Sequence, residues 1–80
     1  MKIEILFFGI TSDLIGETQL QIAFENAISV ADFKSVLKER YPQLKNINSY
    51  AIAVNEAYAK DDIILKQSDI VAIIPPVSGG

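Results

Sequence analysis

Residues 3–8 read Ile-Glu-Ile-Leu-Phe-Phe, with Ile3, Ile5 and Phe7 on one face and Leu6 and Phe8 on the other. The pattern predicts a strand that is apolar on both faces towards its end. Residues 11–16 predict one helical turn, with Thr11 or Ser12 as its cap and Gly16 as its stop. Leu20, Ile22 and Phe24 then alternate with Gln19, Gln21 and Ala23, the mark of a half-buried strand. The period changes at Ser29. Val30, Phe33, Val36, Leu37 and Tyr41 fall at helical spacing and make one apolar stripe. Ser29 suits the N-cap, and Asp32 the acidic position of a capping box. Lys38 and Arg40 favour the end of the helix dipole, and Pro42 disfavours helical geometry at Tyr41, so the helix is expected to stop there.

The second half returns to a short period. Residues 45–49 read as a polar connection and residues 50–54 as a strand. Asn55-Glu56 reads as a tight turn, because Asn tolerates positive φ, and Ala57-Tyr58-Ala59 as the short return strand. Asp61-Asp62 and Gln67-Ser68-Asp69 look like turns flanking Ile63-Ile64-Leu65. Ile70-Val71-Ala72-Ile73-Ile74 is a continuous run that predicts a central strand covered on both faces, and Pro75-Pro76, lacking amide donors, end it. With the first and last strands the most apolar, they are expected to pair in the middle of one mixed sheet, with the helix on one face. That is an α+β fold of the β-grasp type, assigned to residues 1–76.

Composition narrows the chemistry. Eighty residues, half of them hydrophobic and 21% charged, allow one domain with one core. The chain has no Cys and no His. It therefore lacks a disulfide framework, a thiolate metal site, a persulfide-bearing side chain and the usual general base near neutral pH. Ser12, Ser29 and Ser78 have no His to activate them. Asp61, Asp62 and Asp69 read as solvated or capping acids in turns, and no metal site is assigned. Net charge is −3, and the seven cationic residues are scattered along the chain, which argues against nucleic-acid binding. Glu4 interrupts the first apolar run, which is too short for a signal segment or membrane span, so a cytoplasmic location without membrane attachment is expected.

The end of the chain carries the clearest chemical hint. Of four glycines, two close the sequence as Gly79-Gly80. At an average frequency of about 7%, such an ending arises by chance in roughly 0.5% of chains. Residues 77–80 are expected to form a flexible tail leading to a free carboxylate, with no Cβ on the last two residues to hinder passage through a narrow channel. The whole sequence resembles the small subunit of molybdopterin synthase, a ubiquitin-like sulfur carrier. The resemblance lies in Ile5-Leu6-Phe7-Phe8-Gly9, Ser29-Val30-Ala31-Asp32-Phe33, Arg40-Tyr41-Pro42, Ala53-Val54-Asn55, Tyr58, Asp62 and, most specifically, Ile74-Pro75-Pro76-Val77-Ser78-Gly79-Gly80. It departs from the family pattern at Ser12-Asp13, at Ile70, where an acid is common, and at Gln67-Ser68-Asp69, where either Ser68 takes a conformation that glycine prefers or the turn differs.

The resemblance implies a cosubstrate rather than an enzyme. A ubiquitin-activating-type enzyme, using ATP, would adenylate the Gly80 carboxylate, and a sulfur donor system would convert it to a thiocarboxylate. The loaded end would enter the large synthase subunit, where sulfur passes to cyclic pyranopterin monophosphate in molybdenum cofactor biosynthesis. Val77, Ser78 and Gly79 would give access, and the chain itself would bind no cofactor. Phe8, Tyr58, Ile74, Pro75 and Pro76 are the candidate partner-binding residues, with Leu6 beside them. Two other functions share the same tail: a thiamine-pathway sulfur carrier, and a protein modifier conjugated through Gly80.

Overall fold

The structure, a computed structural model, describes residues 1–76; the assignments made to Val77, Ser78, Gly79 and Gly80 lie outside the described residues. In chain order the elements are β1 (Lys2–Phe7), α1 (Ile10–Ile15), β2 (Gln19–Ala23), β3 (Ile28–Ser29) and α2 (Val30–Arg40). Two short 3-10 turns, Pro42–Leu44 and Ile47–Ser49, lead to β4 (Ala51–Val54), β5 (Ala57–Tyr58), β6 (Ile64–Leu65) and β7 (Ile70–Ile74). Five strands form one sheet in the order β2-β1-β7-β4-β5, with β1 and β7 parallel at its centre and the other neighbours antiparallel. This is the mixed-sheet β-grasp architecture expected from the element order.

The core lies between this sheet and α2. Strand alternation sends Ile3, Ile5 and Phe7 of β1 inward, with Ile22, Ile52, Val71 and Ile73 from the neighbouring strands. Val30, Phe33 and Leu37 of α2 meet them, and the Phe33 ring packs tilted against Phe24 at 6.2 Å between centroids. Val36 is only half-buried, while Lys34, two residues before it in the same helix, is 8% exposed. Its stem is covered and its ammonium reaches the Asp61 carboxylate at 2.7 Å, which keeps a buried cation paired.

The start of α2 shows why the helix begins where it does. Ser29 Oγ accepts from the Asp32 amide at 3.1 Å, as the cap position predicts. The Val30 and Ala31 amides donate to the carbonyls of Ile63 and Asp61. Three amides with no partner inside the helix are thus satisfied from outside it.

Four expectations change. Residues 45–49 are not simply a polar connection: the two 3-10 turns bury Leu44 and Ile47 completely or nearly so, closing the end of the core. The run at Ile70–Ile74 is central by pairing but not covered on both faces; Val71 and Ile73 are buried, whereas Ile70, Ala72 and Ile74 face outward. Parallel pairing alone does not supply a second layer, and among the described residues the one long helix, α2, lies on one side. Helix α1 begins at Ile10 with Gly9 as its cap, so neither Thr11 nor Ser12 caps it. Both hydroxyls instead donate backwards, to Phe8 O and Gly9 O respectively. Finally, β3 and β6 make a separate two-stranded sheet that no alternation announces.

Candidate functional site

The sheet face opposite α2 is apolar and open. Strand register sets Leu6 opposite Ala72, Ala72 opposite Ala53, and Ala53 opposite Tyr58, a row that crosses four strands. Two alanines in the middle of that row make a shallow floor, because their side chains end at Cβ. Larger groups wall it: Leu6 and Phe8 on one side, Tyr58 on the other, with Ile70 and Ile74 at its ends. Phe8 is 49% exposed and Tyr58 79% exposed, so among the described residues these two large rings are left largely uncovered. A contiguous patch of this kind, rather than any single residue in it, is what marks an interaction surface.

Asn55 and Glu56 form one rim of the hollow. Both sit at positive φ, 51° and 72°, as a two-residue hairpin turn between β4 and β5 requires. Asn55 explains how the turn is held. Its Nδ2 donates to Asp69 Oδ1 at 2.9 Å, its Oδ1 accepts from the Ile70 amide at 3.0 Å, and its amide donates to Ile70 O at 2.8 Å. Asp69 in turn accepts from the Lys66 amide at 2.8 Å, so this acid organises a turn, as a capping residue does. Within that turn Ser68 takes φ 70°, the glycine-like conformation its position requires.

The face leads directly to the end of the described chain. The Phe8 amide donates to Ile73 O at 3.3 Å, continuing the β1–β7 pairing past the strand end. Gly9 follows at φ 56° and ψ −135°, and the Pro75 ring lies against it. Pro75 is half-buried and Pro76 exposed. Among the candidate partner-binding residues, Phe8, Tyr58 and Ile74 therefore share the open face, and Pro75 and Pro76 continue from its edge.

Sequence reasoning missed the floor and the corner. Ala53 and Ala72 look unremarkable in sequence; only cross-strand register places them side by side. Gly9 carried a readable signal, a glycine immediately after a strand. Among the described residues there is no group of acids arranged to hold a metal ion, and no helix is long and apolar enough to cross a membrane.

Residues 5–80 match the ThiS family. The molybdopterin synthase sulfur carrier subunit of Caenorhabditis elegans is 32% identical over 83 residues, spanning 100% of this chain and 99% of that one. The corresponding subunit of Mycobacterium tuberculosis is 30% identical over 82 residues, with the same shares covered. SAMP1 of Haloferax volcanii superposes over 100% of both chains with a TM-score of 0.88 at 20% identity, a likeness of fold. The small archaeal modifier protein 1 of Methanosarcina acetivorans matches with a TM-score of 0.81 and 26% identity over 99% of this chain and 96% of its own. A chain from the complex of subunits 1 and 2 of the molybdopterin-converting factor of Helicobacter pylori matches with a TM-score of 0.70 and 27% identity over 100% of both chains. With its open-faced β-grasp domain and a match that runs through the closing glycines, this chain belongs to the ThiS family of ubiquitin-like sulfur carriers.

Proposed function

We propose that this chain carries sulfur to a pterin acceptor as the small subunit of a molybdopterin synthase, with the carboxylate of Gly80 as its working group. The observation that carries the reading is the juxtaposition of an exposed apolar face with the end of β7, from which the sequence runs through Pro75-Pro76-Val77-Ser78-Gly79-Gly80. A carboxylate is a poor electrophile. One of its oxygens attacks the α-phosphorus of ATP on a ubiquitin-activating-type enzyme, and pyrophosphate leaves. Sulfur delivered at the oxidation level of sulfide displaces AMP and leaves a thiocarboxylate. Gly79, Ser78 and Val77 give the loaded end access to the large subunit, which supplies the pocket and the acid–base groups. The chain is thus a cosubstrate, itself holds no cofactor, and acts in the cytoplasm. Docking through Phe8, Tyr58 and Ile74 makes delivery effectively intramolecular, the general advantage of held reactants.

The relatives at this identity are molybdopterin synthase carriers, which favours a pterin acceptor over a thiazole one. A second reading, conjugation of Gly80 to lysines of other proteins, is favoured by the likeness to the Methanosarcina acetivorans modifier. Both begin with the same adenylate. Intact-mass measurement of the chain with an adenylating enzyme, ATP and a sulfide source is expected to show replacement of one oxygen by sulfur. The loaded chain should then return to its carboxylate when the large subunit and the pterin precursor are added. Isopeptide-linked products without any thiocarboxylate would replace the carrier reading with the modifier one.

A further inference from the structure

We propose that the outer edge of β2 is a second binding site, separate from the hollow, for an extended segment of another protein that carries a cation at each end. β2 closes one side of the sheet, and among the described residues no strand lies beyond it. The bonds it makes to β1 show which of its groups are free. Met1 and Phe24 exchange both backbone bonds, at 2.7 and 2.8 Å, and the Phe7 amide donates to Thr18 O at 2.9 Å. With Ile3 opposite Ile22 and Ile5 opposite Leu20, antiparallel alternation turns the backbone groups of Thr18, Leu20, Ile22 and Phe24 towards β1. The N–H and C=O groups of Gln19, Gln21 and Ala23 therefore point out of the sheet, and they meet no partner among the described residues.

The two edges of the sheet are built differently. β5, at the other edge, is two residues long and stands between Glu56 and Lys60; short and flanked by charge, it resists further pairing. β2 has five residues, and positions 18–24 hold neither a charge nor a proline. Leu20 and Phe24 are half-buried, so apolar side chains on an added strand would cover what they leave exposed. The acids lie at the two ends, where Glu17 and Glu25 are exposed. Lys2 and the Met1 ammonium lie one strand in, and neither is ion-paired to Glu25. These acids select the occupant. Two copies paired antiparallel about Gln21, the register that uses all three free residues, would set Glu17 of each opposite Glu25 of the other. Like charges directly opposite are destabilising, and each copy already carries a net charge of −3. A foreign strand with lysine or arginine at those ends meets attraction instead. No residue lining the hollow belongs to β2, so the two sites do not compete for side chains.

The test adds the peptide Lys-Val-Thr-Val-Thr-Val-Thr-Val-Lys to the isotope-labelled full chain and follows every backbone amide by NMR. Laid antiparallel on β2, its lysines fall opposite Glu17 and Glu25 and its threonines opposite Gln19, Gln21 and Ala23. The amides of those three residues should shift and exchange more slowly, while those of Ala53, Ala72 and Tyr58 stay unchanged. The same peptide with glutamate at both ends should bind at least about tenfold more weakly. Glu17→Lys combined with Glu25→Lys, both exposed and outside every strand, should reverse that preference. Gln21→Pro removes the middle donor on the side away from β1, where proline is tolerated, and should weaken binding about tenfold. Should Gln21→Pro fail to fold, the charge reversal decides alone. Equal affinity for the two peptides, shifts confined to the hollow, or no shift at about 1 mM peptide each overturns the proposal. So does the appearance of the same shifts when the chain alone is concentrated, which would make a second copy the occupant. None of these readouts depends on the chemistry at Gly80.

Discussion

Phe8 and Phe33 are both aromatic residues at apolar positions, and they differ in what surrounds them. Phe33 is completely buried under the sheet, so Phe33→Ala should cost roughly 3–5 kcal/mol, a large share of the stability of a domain this small. Phe8 is 49% exposed on the open face, so Phe8→Ala should cost about 1 kcal/mol or less. Its effect should appear in binding: an anchoring aromatic contributes about 2 kcal/mol or more, roughly thirtyfold in affinity for the large subunit. Unfolding curves and partner affinities measured side by side separate the two residues. Equal destabilisation by both variants would show that Phe8 belongs to the core. Ser68 makes a different kind of prediction. At φ 70° it pays a steric penalty that glycine avoids, and Ser68→Gly should stabilise the domain by roughly 0.5–1 kcal/mol despite the added freedom of the unfolded chain. Denaturant melts that show a loss instead would mean that the serine side chain contributes more to the turn than its backbone conformation costs.

At the scale of elements, α2 is the piece whose boundaries follow from local chemistry. Ser29→Ala removes the acceptor for the Asp32 amide and should cost about 1 kcal/mol. The loss stays that small because the Val30 and Ala31 amides keep their partners in the 61–63 segment. Equilibrium unfolding checks this, and a loss above about 2 kcal/mol would mean that the cap also anchors β3 against β6. The same helix shows what sequence makes legible. A stripe long enough to display its period, a cap and a following proline all point one way, so α2 could be placed to within a residue. Leu44 and Ile47 could not be recognised as core, because two apolar residues set among polar ones have no period to read. The β3–β6 pair is two residues per strand, too short for alternation. The open side of β7 was hidden for another reason. Hydrophobicity at Ile70, Ala72 and Ile74 reads the same whether the apolar cover comes from the chain itself or from a partner. The outer residues of β7 were therefore visible as apolar while the openness of that face of the strand was not.

At the scale of the whole molecule, the groups that hold the fold and the group assigned to chemistry are separate. Among the described residues, every buried hydrophobic side chain lies between Ile3 and Ile73, and the apolar face is carried on the outer side of the same sheet. Stability and function should therefore come apart under mutation at the end of the chain. Deleting Gly80 leaves every buried side chain between Ile3 and Ile73 in the chain, and the unfolding midpoint should stay where it is. Adenylation and sulfur transfer should nevertheless vanish, because the carboxylate then belongs to Gly79 and falls one residue short of the reacting atoms. One residue of extended chain is about 3.5 Å, far more than an aligned displacement tolerates. Gly79→Val keeps the length and adds a stiff, branched side chain beside the reacting carbonyl, so it should slow loading while preserving the same midpoint. Intact mass after incubation with the adenylating enzyme, ATP and sulfide, together with a thermal melt, reads both properties from one preparation. Full pterin thiolation by the Gly80-deleted chain would show that neither Gly80 nor the length of the tail is required, and would overturn Gly80 as the working group.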